Sequence, residues 1–357
     1  MLLSRSLEPF EYYQNIERFN KYKKIENYLK MIKLKSKSCL IIYKDKYLLG
    51  SSILLDNQIG SKSKYGIVYK CKNINSKIKN IPKFTIKIQL NTNSLNKEIK
   101  LLSVISKYGI KYKIPNLPIL YKVIKCPYNP DFTLFNDIYA NVIKKGYTMI
   151  LNELASGDLR SFFKTNLNIS YELWRNIYEQ LFISLVIIHS FGFIHNDAHD
   201  GNFLYHKIKK GGCFHYSING IDYYIKNLGF IWTTWDYGKV MKFKNKGSYI
   251  YDYMLINLIT RKNNYEKKTI EYLNHDWYNN KNWGYLNSKS IIPPVIEKFQ
   301  EKLWNLLGGY NKYNDIYILK KRKMTEDIFL KYLLDKGLLF SKKPDGKILS
   351  SVKINLK

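Results

Sequence analysis

Cysteine is scarce in this chain, with four among 357 residues. The four are Cys39, Cys71, Cys126 and Cys213. They form no Cys-x-x-Cys pair, so the sequence predicts neither a zinc site nor a disulfide framework. We therefore expect a protein of a reducing, intracellular compartment.

Long apolar runs are also lacking, and no segment approaches the length that a helix needs to cross a bilayer. The amino terminus carries Arg5, Glu8 and Glu11 where a signal peptide would have an apolar stretch. The sequence thus predicts a protein that neither spans a membrane nor is secreted.

Arginine accounts for only six of the 59 Lys and Arg residues, although the net charge is +31. Arginine makes the bidentate contacts by which proteins read specific DNA sites, so its scarcity disfavours that function class. The lysines are spread along the whole chain, and we expect from them a non-specific, salt-sensitive attraction to polyanions. A hydrophobic content of 45% and an aromatic content of 15% exclude a disordered chain.

The chain does contain a dense polar cluster in FIHNDAHDGNFLYH, residues 193–206, and WDYG follows at residues 235–238. These segments place Asp197, then Asn202 five residues later, and Asp236 before an aromatic-glycine pair. Phosphoryl transfer needs a carboxylate that receives a hydroxyl proton, and an amide and a carboxylate that hold divalent metal against triphosphate oxygens. The three residues therefore predict this chemistry.

Residues 193–206 resemble the catalytic loop of the protein kinase-like superfamily, and DYG resembles its Asp-Phe-Gly motif. The resemblance implies an α+β class and a bilobal kinase fold, with a small strand-rich lobe and a helix-rich lobe. It also implies ATP and Mg²⁺, or Mn²⁺, as cofactors. Asp197 would then receive the proton of the acceptor, while Asn202 and Asp236 would bind the metal.

Upstream, NQIGSKSKYGIVYKCKN lies between two strand-like stretches and resembles the glycine-rich loop of these kinases. The residues that this resemblance assigns to the nucleotide are Ile59, Gly60, Gly66 and Val68. Glycines let a hairpin backbone approach phosphates, and the valine would cover an adenine face. The expected middle glycine is replaced, so we expect loose coverage of the phosphates.

The segment KFTIKIQL, residues 83–90, alternates as a half-buried strand does, which places Lys87 on the face opposite the isoleucines. By resemblance, Lys87 holds the α and β phosphates, and Glu98 on the following helical pattern is its partner. A solvated lysine and a surface glutamate are the alternatives. The order of glycine loop, lysine and glutamate favours the kinase interpretation.

Residues 147 to 159 have the pattern of a buried strand, a small-residue connector and a helix start, and they resemble a kinase hinge. By this resemblance Asn152 is the gatekeeper, and the backbones of Glu153 and Ala155 pair with the adenine edge. Asp158 is interpreted as a helix N-cap, because its carboxylate can accept the amides of the first turn.

The motifs divide the chain into an N-terminal extension packed on the N-lobe (1–51), a kinase N-lobe (52–152) and a kinase C-lobe (153–357) with an inserted hairpin near 213–225. The hairpin is predicted from an Asn219-Gly220 turn between alternating residues. We expect it to form an extended ribbon beside the metal site. The tail shows only helix patterns such as IPPVIEKFQEKLWNLL.

Three further segments have recognisable patterns. Residues 12–22 show roughly helical spacing, and the apolar stripe in YELWRNIYEQLFISLVIIHSFG predicts a core helix that ends at Gly192. The segment KCPYNPDFTLFNDIYANVIKKG is predicted to be a loop between strands. His189 and His206 have no partners at metal-ligand spacing and are interpreted as ordinary residues.

The chain departs from the family pattern after Gly238, where no activation segment or Ala-Pro-Glu motif is found. Asp252 resembles the buried aspartate that braces the catalytic-loop backbone in these kinases. Asn196 replaces the arginine that reads an activation-loop phosphate, which predicts activity without a phosphorylation switch.

His199 stands where protein kinases usually carry lysine, and it resembles the His-x-Asp-x-His-x-x-Asn pattern of aminoglycoside, choline and lipopolysaccharide kinases. Imidazole can still donate to a phosphoryl group. The glycine loop, the hinge and the NFL continuation resemble casein-kinase-1-type and large-DNA-virus kinases. We expect a viral-type serine/threonine protein kinase of the host cytoplasm or virion; a small-molecule kinase and a pseudokinase scaffold are the alternatives.

Overall fold

The computed structural model describes residues 13–32, 39–60, 66–78, 81–127, 146–166, 169–243, 249–258, 298–299, 302–303 and 325–356. The protein is of the mixed α+β class, as expected, and it divides between Leu154 and Ala155 into two compact units. The boundary predicted from the sequence lies two residues earlier, and the bilobal kinase fold stays a prediction. Within the described ranges, no helix has both the length and the apolar character that crossing a lipid bilayer requires.

The first unit, residues 13–154, is built on one curled antiparallel sheet. Its elements are α1 (Tyr13–Met31), β1 (Leu40–Tyr43), β2 (Lys46–Leu49), β3 (Ile53–Ile59), β4 (Gly66–Asn73), β5 (Phe84–Leu90), α2 (Asn93–Tyr112), β6 (Leu120–Cys126) and β7 (Tyr147–Glu153). The strand order is β1-β2-β3-β4-β5-β7-β6, and each neighbouring pair is antiparallel. Residues 40–49, which the sequence assigns to the N-terminal extension, therefore supply the first two strands of this sheet.

The apolar residues of β5 lie in the core of this unit. Phe84, Ile86 and Ile88 are fully buried and belong to one cluster with Tyr28 of α1. Helix α1 thus packs on the apolar side of the sheet, and the helix predicted near residues 12–22 is confirmed from Tyr13 onward, while Tyr12 lies outside the described residues. Lys87 lies on the other face of the strand, as its alternation predicts. The prediction of a half-buried strand is wrong, because Thr85, Lys87 and Gln89 on that face are buried as well.

A disulfide joins the two edges of the curled sheet. Cys39, directly before β1, is bonded to Cys126, the last residue of β6, with their Cα atoms 5.8 Å apart. Since β1 and β6 are the edge strands, the bond closes the sheet on itself. The expectation that no disulfide forms is wrong for this pair, because the partners are 87 residues apart and no local spacing marks them.

The second unit begins at Ala155 and contains three small sheets within its described residues. Its elements are β8 (Gly157–Asp158), α3 (Leu159–Thr165), α4 (Tyr171–Ser190), β9 (Phe193–Ile194), a 3₁₀ turn (Asp200–Asn202), β10 (Phe203–Lys207), β11 (Cys213–Ile218), β12 (Ile221–Lys226), β13 (Phe230–Thr234), β14 (Met241–Lys242), α5 (Ile250–Leu258), α6 (Glu326–Asp335) and β15 (Ile348–Ile354). The strand orders are β13-β10-β8, β12-β11-β15 and β14-β9.

Helix α4 forms the core of the second unit. Its N-cap is Ser170, whose hydroxyl accepts a hydrogen bond from the N–H of Leu173, and every residue from Asn176 to Ser190 is buried. The predicted core helix is confirmed, and it ends before Gly192, whose φ of +83° favours glycine. The helix thereby leads directly into the 193–206 segment.

The predicted hairpin is confirmed, because β11 and β12 pair antiparallel across the Asn219-Gly220 turn. Its second neighbour is unexpected, since β15 pairs with β11 in parallel. The expectation that the tail holds only helices is therefore wrong at residues 348–354. Ser350 is buried in this strand, and a polar residue at an inward position breaks the apolar alternation by which a strand is predicted.

Two predictions fall largely outside the described residues. The loop predicted between strands is flanked by β6 and β7, and its residues 128–145 are not among those described. The helix pattern IPPVIEKFQEKLWNLL is described only at residues 298–299 and 302–303, which are helical.

We predict that reducing the disulfide lowers the free energy of unfolding by about 2–4 kcal/mol, because the bond restricts a long loop in the unfolded chain. Denaturant unfolding with and without a phosphine reductant measures this loss. The variant in which Cys39 and Cys126 are both replaced by Ala should not respond to the reductant. Equal responses of the two proteins would contradict the presence of the bond. Alkylation of Cys39 and Cys126 in the wild type without prior reduction would contradict it as well.

Candidate functional site

Three of the predicted nucleotide-binding residues of the first unit lie in one row across the sheet. The antiparallel registers pair Ile59 with Val68 and Val68 with Lys87. Lys87 in turn pairs with Ile150 of β7. Directly opposed residues project from the same face of a sheet. The apolar side chains of Ile59 and Val68 therefore lie on the same face as the ammonium group of Lys87. Such a row suits a ligand with an apolar ring next to an anionic group.

Glycines flank the connection between β3 and β4. Gly60 has a φ of +69°, a conformation that favours glycine. At Gly66 a Cβ atom would lie 2.9 Å from the carbonyl oxygen of Ile88, so a side chain there would push β4 away from β5. Residues 61–65, where the middle glycine of the pattern is missing, lie outside the described residues.

Lys87 and Glu98 form a buried ion pair. The Nζ of Lys87 lies 2.9 Å from Oε1 of Glu98, and the glutamate side chain is only 3% exposed. Helix α2 carries Glu98 and is capped by Thr92, whose hydroxyl accepts the N–H of Leu95. The predicted pairing is confirmed, and the alternative of a solvated lysine is wrong. Their role in binding phosphate stays a prediction.

Glu153, the last residue of β7, is held by Arg18 of α1. The Nε of Arg18 donates to Oε2 at 2.9 Å, Nη2 donates to Oε1, and Nη1 donates to the carbonyl of Pro115 at 2.6 Å. The backbone N–H of Glu153 donates to the carbonyl of Ile119 at 3.1 Å. The predicted backbone contact of Glu153 with adenine is therefore restricted to its carbonyl group.

The other residues of the predicted hinge have separate surroundings. Asn152 is buried, and its Nδ2 donates to the carbonyl of Ile150 at 3.1 Å. Ala155 is half-buried and is the first residue of the second unit. Asp158 is confirmed as the N-cap of α3, since its carboxylate accepts the N–H of Ser161 at 2.6 Å.

In the second unit, Asp252 holds the backbone that precedes Asp197. It is fully buried on α5, and it accepts the N–H of His195 at 2.6 Å and the N–H of Asn196 at 2.7 Å. Asn196 has a φ of +60°, in the left-handed region, which costs energy for a residue other than glycine. The two hydrogen bonds to Asp252 hold the backbone in this conformation. The brace predicted for Asp252 is confirmed.

Asp197, the predicted proton acceptor, has a defined orientation. The Nδ2 of Asn202 donates to its Oδ2 at 3.2 Å and to its carbonyl oxygen at 2.9 Å. Its Oδ1 lies 3.2 Å from Nζ of Lys239, a contact that the sequence did not predict. These partners fix the direction of the carboxylate before any ligand is bound.

Asn202 and Asp236 are brought to the same end of a sheet by the register of β10 with β13. Phe203 pairs with Thr234, and the N–H of Trp235 donates to the carbonyl of Asn202 at 2.7 Å. Asp236 follows Trp235 directly and has a φ of +61°. Backbone strain of this kind concentrates at functional sites.

The donor atoms of these two residues suit a hard cation. Both hydrogen bonds of the Asn202 side chain are made by its nitrogen, which orients the amide oxygen away from Asp197. An amide oxygen and the carboxylate of Asp236 are the oxygen ligands that Mg²⁺ prefers, with water and phosphate completing the coordination. The residues therefore fit Mg²⁺ or Mn²⁺.

His199 is held in one tautomer by Gly201, whose N–H donates to Nδ1 at 3.0 Å. Nδ1 also lies 3.7 Å from Oδ1 of Asp200. Nε2 carries a proton both in the neutral ring whose Nδ1 accepts and in the imidazolium, so it can donate in either state. Nε2 lies 4.0 Å from Oδ2 of Asp197. A Cβ atom at Gly201 would lie 2.9 Å from Cε1 of His199, so this arrangement requires glycine.

Arg160 and Asp200 form an ion pair that the sequence did not predict. On α3, Arg160 donates from Nη2 to Oδ1 of Asp200 at 2.7 Å and from Nε at 3.1 Å. Burial by itself would raise the pKa of Asp200, but the neighbouring His199 and Arg160 outweigh burial and lower it. The pair ties the 3₁₀ turn that ends at Asn202 to α3. Arg160 lies 40 residues before its partner, so no local pattern could reveal it.

Comparison with known proteins adds no relative, since no family model matches the chain and no curated protein matches its sequence. Lys87 and Glu98 belong to the first unit, and Asp197, Asn202 and Asp236 belong to the second. The functional assignment therefore depends on the geometry within each unit.

We predict that Arg18→Met lowers the free energy of unfolding by about 3–5 kcal/mol, because Glu153 would remain buried without its partner. Urea unfolding followed by far-ultraviolet circular dichroism measures the loss, since the tryptophans all lie after residue 154 and would not report on the first unit. Adding Glu153→Gln to this variant removes the stranded charge and should recover part of the stability.

Lys21→Met is the matched control on the same helix, since Lys21 pairs with Glu17 in an exposed position. It should change the free energy of unfolding by less than about 1 kcal/mol. Equal losses for Arg18→Met and Lys21→Met would contradict the role given to the buried pair.

Proposed function

We propose that the protein is an ATP-dependent phosphotransferase, and specifically a serine/threonine protein kinase. One observation carries the proposal: Asp252 anchors the backbone before Asp197, and Asn202 orients the Asp197 carboxylate. One short segment thus presents a proton acceptor beside a metal ligand. Phosphoryl transfer from ATP requires both groups.

In the proposed reaction, the hydroxyl oxygen of a serine or threonine bonds to the γ phosphorus. The bond between that phosphorus and the β,γ-bridging oxygen breaks, and its electron pair leaves with ADP. The hydroxyl proton passes to Asp197. Because Asn202 and Lys239 already orient this carboxylate, little reorganisation is needed when the acceptor arrives.

Asn202 and Asp236 are the proposed ligands of Mg²⁺, or of Mn²⁺. The bound ion would neutralise charge on the β and γ phosphate oxygens. His199 is proposed to donate its Nε2 proton to the transferred group through a hydrogen bond. Asn202 would have two tasks, since its nitrogen orients Asp197 and its oxygen would be available to hold the ion.

The residues proposed to hold the nucleotide are Ile59, Gly60, Gly66, Val68, Lys87, Glu98, Glu153 and Ala155. Ile59 and Val68 would cover the adenine ring, and Lys87 would bind the α and β phosphates. Glu98 holds the ammonium group of Lys87 in place. The Lys87 side chain would therefore lose less conformational entropy when the nucleotide binds.

A small-molecule kinase is the second candidate. Gly238 and the start of α5 at Ile250 are separated only by residues 239–249, which leaves little chain for a platform that binds a peptide. In this alternative the same residues transfer phosphate to a sugar, choline or aminoglycoside hydroxyl. Labelled ATP, tested against casein and against a panel of such alcohols, separates the two candidates.

We predict that Asp197→Asn lowers the rate of phosphate transfer by roughly 10²–10⁴-fold, because an amide cannot serve as the general base. Binding of ATP with Mg²⁺, measured by calorimetry, should be retained. Asp222→Asn changes an exposed carboxylate on β12 and is the matched control, with the parental rate expected. Transfer by Asp197→Asn at the parental rate would end the assignment.

We also predict that ATP with Mg²⁺ raises the melting temperature, because a ligand that binds only the folded state stabilises it. Lys87→Met should remove most of this shift. Lys97→Met, at an exposed position of α2 next to Glu98, should keep it. An unchanged shift in Lys87→Met would contradict the nucleotide site, and a wild-type protein that binds ATP but transfers no phosphate would favour the scaffold alternative.

A further inference from the structure

Helix α6 contributes a carboxylate, Glu326, to the core of the second unit. Its Oε1 lies 2.6 Å from Nδ1 of His189, and the hydroxyl of Tyr253 donates to the same oxygen. On the other side of the ring, Nε2 of His189 lies 3.0 Å from Oδ2 of Asp252. The imidazole is therefore placed between two carboxylates.

The three side chains are almost completely buried, at 0% exposure for His189 and Asp252 and 7% for Glu326. Two carboxylates around one buried site repel each other unless a cation lies between them. Burial by itself would lower the pKa of His189, but the carboxylates of Glu326 and Asp252 outweigh burial and raise it to about 9. A carboxylate oxygen faces each ring nitrogen, and both nitrogens can donate only when the ring is an imidazolium.

Two other titratable side chains face the ring. Tyr249 and Tyr253 contact His189 through their own rings, and burial raises the pKa of both phenols. They stay neutral over the range in which His189 titrates. The charge of His189 is therefore set by Glu326 and Asp252.

This chain of contacts continues to the candidate active site. Oδ2 of Asp252 accepts both from His189 and from the N–H of His195, while Oδ1 accepts the N–H of Asn196. Removing the charge of Glu326 would favour loss of the His189 proton. Asp252 would then lose a charged donor, and its hold on the backbone before Asp197 would weaken.

We propose that Glu326 is a positioning residue for Asp197, acting through His189 and Asp252. Helix α6 is by this assignment part of the machinery that holds the 195–202 segment. The effect on catalysis rests on the proposed phosphotransferase function, whereas the effect on the backbone does not.

The first test is amide hydrogen exchange in Glu326→Gln, a substitution that keeps the shape and removes the charge. Exchange of the His195 and Asn196 amides should become faster by about tenfold or more, because a hydrogen bond to a charged group is weakened. Asp327→Asn removes a charge from the neighbouring position of α6 without touching His189, and it should leave these rates unchanged. Unchanged rates in Glu326→Gln would overturn the proposal.

The second test is the pH profile of phosphate transfer. In the wild type, kcat should hold until His189 loses its proton near pH 9. In Glu326→Gln, kcat at neutral pH should fall by roughly 10–100-fold, because a small misplacement of the reacting groups slows transfer by this much. The KM for ATP should not change. Its alkaline limb should move to lower pH, whereas a purely structural role would leave the limb in place and overturn the proposal.

Should Glu326→Gln fail to fold, the wild type alone decides the question. Nitrogen-15 chemical shifts of His189 should show an imidazolium at pH 7.5, and a neutral ring at that pH would overturn the proposal. If the wild type transfers phosphate to no acceptor, the proposed function fails, while the exchange rates still decide the positioning role.

Discussion

One buried carboxylate organises the second unit. Asp252 has no exposed surface, accepts hydrogen bonds from two backbone amides and lies 3.0 Å from Nε2 of His189. A buried carboxylate is tolerated only where donors replace its water shell. Because two of these donors belong to His195 and Asn196, satisfying Asp252 also sets the left-handed backbone at Asn196 and the position of Asp197. The candidate chemistry thus depends on the hydrogen bonds that replace water around the Asp252 carboxylate.

In the first unit, strand register has the corresponding role. The pairing of β3, β4 and β5 places Ile59, Val68 and Lys87 in one row, and α2 adds Glu98 beside the ammonium group. The sheet that carries this row is closed by the Cys39–Cys126 bond at its edges. Register is strongly specified in a sheet with a buried face, and a slip of one residue would move Lys87 off the face that it shares with Ile59 and Val68.

Local signals predicted much of this arrangement. The Asp158 cap of α3, the apolar stripe of α4 and the Asn219-Gly220 turn depend on residues close together in the chain, and the structure has all three. The half-buried character predicted for β5 is wrong, since residues on both of its faces are buried. Contacts between distant residues were missed because neither period nor composition identifies a partner more than a hundred positions away. Arg18 with Glu153 and His189 with Glu326 are such pairs, at separations of 135 and 137. β15 was missed for a different reason, since a buried serine interrupts its apolar pattern.

The most direct measurement is a crystal structure with a non-hydrolysable ATP analogue and Mn²⁺, whose anomalous scattering locates the ion. The assignment predicts Mn²⁺ bound by Asn202 and Asp236, with the triphosphate of the same nucleotide in contact with Lys87. A nucleotide bound elsewhere, or an ion that engages neither Asn202 nor Asp236, would contradict it.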